Sequence, residues 1–232
     1  MSREPICRSL DEIESVDCSC GRSRRIITRD DEATVGFHVT EIERAEAHYH
    51  ARTTEVYYVL EGSGRLLVAG LAAELRPDSV VYIPPGCVHR GEGHFTAAIA
   101  LLPPFDPEDE LSPDEELPRP CSRPIMRHVQ QAPAARSACG SSRRVLTRDD
   151  GVALGLHVVH IQAADCHYHV RTTELYHVLE GEGRLRVGRE QFELSPGDTV
   201  YVPAGLEHCG EGDFQTIVVC APPFDPEDQI VV

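Results

Sequence analysis

No apolar run in the 232 residues approaches the roughly 18 needed to cross a bilayer as a helix. A membrane partner is therefore not expected. The opening, MSREPICRSLDEIESVDCSC, lacks the apolar core of an export signal, so a cytoplasmic location is expected. Positive charge is scarce: 22 Lys and Arg stand against 38 Asp and Glu, for a formal net charge of -16. Phosphate binding needs a basic face, which leaves nucleic acid out of the expected partners. Helical periodicity is also missing; DELSPDEEL offers one short turn at most. The nine cysteines are odd in number and accompany no export signal. Reduced thiols are expected rather than a disulfide framework. The acidic DPEDELSPDEEL and the later DPED read as a solvated linker and tail.

What is present is a repeat. CGRSRRIITRDD at Cys20–Asp31 returns as CGSSRRVLTRDD at Cys139–Asp150. HYHARTTEVYYVLEGSGRL at His48–Leu66 returns as HYHVRTTELYHVLEGEGRL at His167–Leu185, and PPFDPED at Pro103–Asp109 returns at Pro222–Asp228. Every pair is shifted by 119 positions, with no insertion between. Pro5, Ile6 and Arg8 also recur, at Pro124, Ile125 and Arg127, so the repeat unit includes a leader. A period this long means two duplicated domains rather than a solenoid. The expected split is 1–119 and 120–232, with barrel cores at about 20–109 and 139–228 and the boundary near Leu117–Pro120.

Within each copy the apolar runs are short and rich in β-branched and aromatic residues, as in SRRIITR, TVGFHVTEI, TEVYYVLE and SVVYIP. Gly, Pro, Asp or Glu separates them. This spacing predicts an all-β fold, a sandwich or jelly-roll barrel.

His48 and His50 are two apart, so on a strand they share a face. Glu55 opens the next strand after the hairpin ARTT. PPGCVH ends in His89, its Pro-Pro-Gly making a stiff turn. Three imidazoles and a carboxylate make a site for Fe, Mn, Ni, Cu, Co or Zn. His167, His169, Glu174 and His208 repeat the set, while neighbours such as Val56 and Ser63 have drifted to Leu175 and Glu182. One divalent metal ion per barrel is expected.

These motifs resemble those of the cupin superfamily, and the duplication resembles a bicupin. His48, His50, Glu55 and Gly62 fit the first cupin motif from its HxH onward, as do His167, His169, Glu174 and Gly181. Pro84, Gly86 and His89 fit the second, as do Pro203, Gly205 and His208. Ile42 and Ile161 stand where the first motif opens with Gly. Asp78 replaces the Gly that opens the second, which Gly197 keeps, and Gly93 and Gly212 replace its final Asn. None of these departures is a ligand. The resemblance covers roughly Ser23–Leu102 and Ser142–Ala221. It implies two double-stranded β-helix barrels in tandem, each holding a metal (Fe, Mn, Ni or Zn) with open positions for water, dioxygen or substrate. Tetrahedral Zn would instead be closed by the four protein ligands.

Further residues are candidates. Tyr57 shares strand parity with Glu55, and Tyr176 is its partner; either donates a hydrogen bond to substrate as a catalytic group or simply packs in the core. His38 and His157 precede the ligand pair and are candidate substrate-binding or ligand-orienting groups. Arg52 and Arg171 follow HYH and are candidate clamps for an anion, or exposed loop arginines. Tyr58 becomes His177 on the opposite strand face, and His177 is not a ligand candidate. Cys87, Cys166 and Cys209 lie beside the ligands, yet their counterparts are Leu206, Ala47 and Arg90. A ligand is not expected to be exchanged so freely, so these three read as inert thiols. The resemblance implies a metal-dependent enzyme acting on a small molecule. Dioxygenase-type chemistry, isomerisation or decarboxylation of an organic acid, aromatic compound or sugar are the candidates. The alternative is a non-catalytic, metal-dependent small-ligand (sugar) binding protein. An oxalate decarboxylase-like role requires an acid on a lid, which the sequence does not place. A monomer and a homodimer are both compatible with the tandem.

Overall fold

The computed structural model describes residues 4–113 and 121–232, almost wholly as strand and turn. The first half holds β1 (Ile6–Ser9), β2 (Ser15–Cys18), β3 (Gly21–Ile27), β4 (Gly36–Arg44) and β5 (Tyr49–His50). It continues with β6 (Thr54–Val68), β7 (Leu71–Leu75), β8 (Ser79–Ile83), β9 (His89–Leu102) and β10 (Glu110–Leu111). The second half repeats the series as β11 (Ile125–His128), β12 (Ala134–Ser137), β13 (Gly140–Leu146), β14 (Gly155–Ala163) and β15 (His167–His169). Then follow β16 (Thr173–Val187), β17 (Glu190–Leu194), β18 (Asp198–Val202), β19 (His208–Ala221) and β20 (Gln229–Val231).

Two compact units result. One is Ile13–His128; the other joins Val129–Val232 to the described part of Met1–Glu12. This division differs from the expected split at 119 and 120, and strand pairing gives the reason. Strands β8 and β18 are buried along their whole length, and an apolar strand cannot be left as a bare edge. Leader strand β1 covers β18, with Ile6 opposite Tyr201, and β11 covers β8, with Ile125 opposite Tyr82. Each repeat therefore lends its leader to the unit built by the other repeat. Leu117–Pro120, the expected boundary, and residues 114–117 of DELSPDEEL lie outside the described residues; of that run, Glu110–Leu111 is strand rather than helix.

The sheet of Ile13–His128 runs β11-β8-β6-β9-β4-β3-β2, with β7 on β6, and β10 pairs with β5. The other unit runs β1-β18-β16-β19-β14-β13-β12, with β17 on β16 and β15 joined to β19 and β20. Long strands β6 and β9 stay paired from Thr54–Leu102 to Val68–His89, across a bulge between Val59 and Glu61. Just past the bulge Gly62 has φ 80°, and a Cβ there would lie 2.1 Å from the carbonyl oxygen of His94. Gly181 repeats this with φ 81° and 2.1 Å to Asp213. Only glycine fits such a crossing. Inside each barrel the inward residues close the core: Ile42, Leu66, Val81, Ile83 and Phe95 in one, Ile161, Leu185, Val200, Val202 and Phe214 in the other. Each such side chain contributes about 1.5–3 kcal/mol by leaving water.

The expectation of nine thiols is corrected for four of them. Cys87 pairs with Cys121, and Cys166 with Cys209, at Cα separations of 5.2 and 4.5 Å, inside the range a disulfide spans. The fold brings together residues 34 and 43 apart in sequence, which spacing alone does not display. Cys7, Cys18, Cys20, Cys139 and Cys220 stay free.

Candidate metal centre

Strand pairing assembles the first cluster. His48 forms an antiparallel bridge with His89, each backbone N–H donating to the other's carbonyl at 3.1 and 2.8 Å. The N–H of Gly86, in the Pro-Pro-Gly turn, donates to the carbonyl of His50 at 2.7 Å, which ties that turn to the HxH strand. Glu55 opens β6 opposite Leu101. In the second unit His167 pairs with His208 in the same way. All eight residues are buried, and within each cluster one candidate donor atom per residue lies within 4.8 Å of the others.

The hydrogen bonds fix the imidazoles for metal ligation. Nδ1 of His48 donates to the Glu46 carbonyl at 2.9 Å and Nδ1 of His89 to that of Cys87 at 2.9 Å. Nδ1 of His167 and His208 likewise donate to Asp165 at 2.8 Å and Leu206 at 2.9 Å. A donating Nδ1 leaves Nε2 with its lone pair facing inward. Each inward Nε2 meets a carboxylate oxygen: His89 Nε2 is 2.9 Å from Glu55, and His208 Nε2 is 2.9 Å from Glu174. In the second barrel that contact is a hydrogen bond from His208 to Glu174; in the first, His89 Nε2 and Glu55 Oε2 are buried without a hydrogen-bond partner, as befits two atoms that share a cation. Nitrogens of His50 and His169 are buried without a hydrogen-bond partner. This donor set fits a divalent metal ion. Burial alone would raise the Glu55 pKa, but the imidazoles of His50 and His89 outweigh it and bring it down to about 2. Glu174 is lowered against burial in the same manner, first by its bond to His208 and then by His169.

A small cavity of about 30 Å³ adjoins each cluster, roughly the volume of one liquid water. Tyr57 and Tyr176 are fully buried beside the clusters, and the Tyr176 hydroxyl donates to Glu174 at 2.8 Å. Burial first, and then the Glu55 or Glu174 charge, hold both phenols well above their ordinary pKa. His38 and His157 line the two cavities. Burial, then the facing Arg25, depress His38 to about 3; burial, then Arg144, depress His157 to about 4. Both are neutral imidazoles near neutral pH.

Arg52 and Arg171 are exposed loop arginines, one of the two readings open to them, and neither is among the residues that line the cavities. Each is an outward side chain held by two aspartates: Arg52 Nε bonds Asp109 at 3.1 Å and its Nη2 bonds Asp106 at 3.1 Å. Arg171 does the same with Asp228 at 3.0 Å and Asp225 at 3.2 Å. DPED is not wholly solvated: its middle residues are exposed, but Asp109 and Asp228 at its end are 2 % exposed. The cationic groups at the cavities are Arg25 and Arg144, which the sequence reading missed. Arg25 lies opposite His38 across β3 and β4, and Arg144 opposite His157. Their guanidinium carbons sit 4.5 Å over the rings of Phe105 and Phe224, and the Nε of each is buried without a hydrogen-bond partner. The signal was in the repeat, since SRR recurs at Ser23–Arg25 and Ser142–Arg144. Glu110 was also missed. It lines the first cavity, whereas Gln229 takes its place in the second.

Residues 37–102 and 157–221 each match the family model of the cupin domain. The chain belongs to the cupin family. Among curated relatives, an uncharacterized protein of Methanocaldococcus jannaschii, MJ1618, is 36% identical over 66 residues, covering 27% of this chain and 53% of its own. The quercetin 2,3-dioxygenase of Bacillus subtilis is 33% identical over 69 residues, covering 28% of this chain and 20% of its own. This cupin chain thus spans about half or less of the length of those two relatives. Among solved structures, the oxalate decarboxylase of Bacillus subtilis superposes with a TM-score of 0.77 at 14% identity, over 97% of this chain and 78% of that one. Protein Ylba of E. coli superposes with 0.77 at 13% identity, over 96% and 93%. These superpositions establish the tandem cupin fold that the motifs led us to expect.

Proposed function

We propose that this bicupin is a metal-dependent enzyme that acts on a small organic acid, by decarboxylase- or dioxygenase-type chemistry. The observation that carries the reading is the buried three-histidine, one-glutamate cluster beside a guanidinium with an unpartnered Nε. Names among its relatives support it: an oxalate decarboxylase whose Mn(II) centres have been described, and a quercetin dioxygenase. When bound, the metal supplies Lewis-acid and redox chemistry to an oxygen donor.

The chain's own residues divide the remaining work. His48, His50, Glu55 and His89 would hold the metal, as would His167, His169, Glu174 and His208. Arg25 or Arg144 takes the carboxylate of the substrate, with Phe105 or Phe224 holding the guanidinium flat. Neutral His38 or His157 adds a hydrogen bond without adding charge. Glu110 gives the first barrel an acid–base group that Gln229 denies the second, so proton transfer belongs to the first barrel.

The test is turnover. Metal-loaded protein is assayed for CO2 release and O2 uptake on mono- and dicarboxylates of a few carbons. Turnover is expected, with Arg25→Lys raising KM about tenfold or more and Glu110→Gln lowering kcat about a hundredfold or more. Metal-loaded protein that binds such acids and never converts them would make this a binding module instead.

A further inference from the structure

The two cavities are built from equivalent residues, and under the shift of 119 few of them differ. Among the described lining residues, Glu110 and Gln229 are the one equivalent pair that differs in charge. They stand at matched points of the fold. Glu110 on β10 lies opposite His50, and Gln229 on β20 lies opposite His169. Opposed strand residues project to one face, with Cβ atoms about 4.5–5.5 Å apart. The first metal cluster therefore has a carboxylate beside it, where the second has an amide of the same size. The metal ligands, the cavity arginine and the neutral histidine are common to both barrels and cancel in the comparison.

A second difference points the same way. Ser23 and Ser142 line the cavities and are each 2 % exposed. They stand two positions before Arg25 on β3 and Arg144 on β13, hence on the same strand face. In the first barrel Thr40, opposite Ser23, donates its hydroxyl to Ser23 Oγ at 2.9 Å. In the second, the residue opposite Ser142 is Val159, and Ser142 Oγ is buried without a hydrogen bond. An unpaired buried hydroxyl is costly, which marks it as the place of a polar ligand. Arg144 Nε on the same face is unpartnered as well. Away from the metal ligands, the second cavity thus has two unsatisfied buried groups where the first has Arg25 Nε. Size does not separate the barrels. The space over each cluster, counting the part open to solvent, is about 370 Å³ in the first and 350 Å³ in the second.

We propose that the barrels divide small acids by charge: the second takes dicarboxylates as dianions, and the first takes monocarboxylates. The inference rests on the reading of this chain as acting on small organic acids, and adds which barrel takes which. In the second barrel Arg144 holds one carboxylate, while the Ser142 hydroxyl and the Gln229 amide donate to the other. In the first, Arg25 holds the single carboxylate. Glu110 repels a second one by like charge, and the Ser23 hydroxyl is already engaged by Thr40.

Titration calorimetry on full-length protein loaded with Mn(II) and kept anaerobic tests this, with malonate as the dianion and acetate as the monoanion. The wild type should bind one equivalent of malonate. Gln229→Glu keeps the side chain's size and adds the charge. A fixed charge acts on a dianion with twice the energy it exerts on a monoanion, so the loss for malonate is the square of that for acetate. About fourfold for acetate and about sixteenfold for malonate are expected at that barrel. Glu110→Gln should give the first barrel a malonate site of its own, for two equivalents in all. Val159→Thr, which supplies Ser142 with a partner, should weaken malonate by about threefold or more. Two equal malonate sites in the wild type, or a malonate affinity unmoved by Gln229→Glu, would overturn the division and leave the small-acid reading standing. Binding of neither acid by the wild type or any variant would overturn the small-acid reading, and the division with it.

Discussion

At Asp109 one buried carboxylate accepts from the backbone N–H groups of Arg52 and Thr53, from the Thr53 hydroxyl and from the Arg52 guanidinium. Asp228 accepts from Arg171 and Thr172 in the other unit. These bonds pin the turn between His50 and Glu55 to the end of the repeat. Burial would raise the Asp109 pKa, yet the Thr53 and Arg52 bonds outweigh it and bring it below the ordinary 3.8. A depressed carboxylate stabilises the native state fully above its unfolded pKa, and the contribution is lost as pH falls through the native value. Asp109→Asn should therefore cost about 2–4 kcal/mol at pH 7 by urea unfolding. The gap to wild type should narrow below pH 3.8. An equal gap at pH 7 and pH 3 would assign the loss to packing. Arg52 shows why such roles are hard to read from sequence. Its partner lies 57 residues away, and the hairpin context alone suits a substrate clamp equally well. The eight ligands were legible because the repeat kept them while their neighbours changed. Arg25 carried the same signal, but its pairing with His38 depends on a register offset by a bulge between Arg25 and Ile27.

Strands β6 and β16 are each 15 residues long and carry Glu55 or Glu174 near one end. They turn past β9 and β19 at Gly62 and Gly181. Gly62→Ala meets both a positive φ and the His94 carbonyl, so it should destabilise by more than the about 1–2 kcal/mol of a left-handed residue alone. Gly70→Ala supplies the control, with φ 80° and nothing within 4 Å of its Cβ. Urea midpoints of the two variants measure the difference; equal losses would mean that the strand crossing has room to spare. The strands themselves were legible, since their apolar runs end at Gly, Pro and acidic residues. Asp78, which stands where the cupin motif has glycine, takes φ 70° in the turn where Gly197 takes 92°. That departure leaves the turn conformation unchanged.

The molecule as a whole is one site built twice. Duplication was legible from the constant shift of 119. The exchange of leader strands was not, because the leaders share Pro, Ile and Arg at matching positions and nothing in those residues says which edge each covers. The duplication also frees one copy to drift. Glu110 against Gln229, and Thr40 bonded to Ser23 where Val159 leaves Ser142 Oγ unpartnered, mark the barrels as chemically distinct around equal metal clusters. The most direct test is therefore a count of metal by elemental analysis, on protein purified without chelator. The wild type should hold two equivalents. His48→Ala with His50→Ala should hold one, His167→Ala with His169→Ala should hold one, and all four changes together none. A wild type holding less than about 0.2 equivalents, or a fourfold variant holding as much as wild type, would contradict the account.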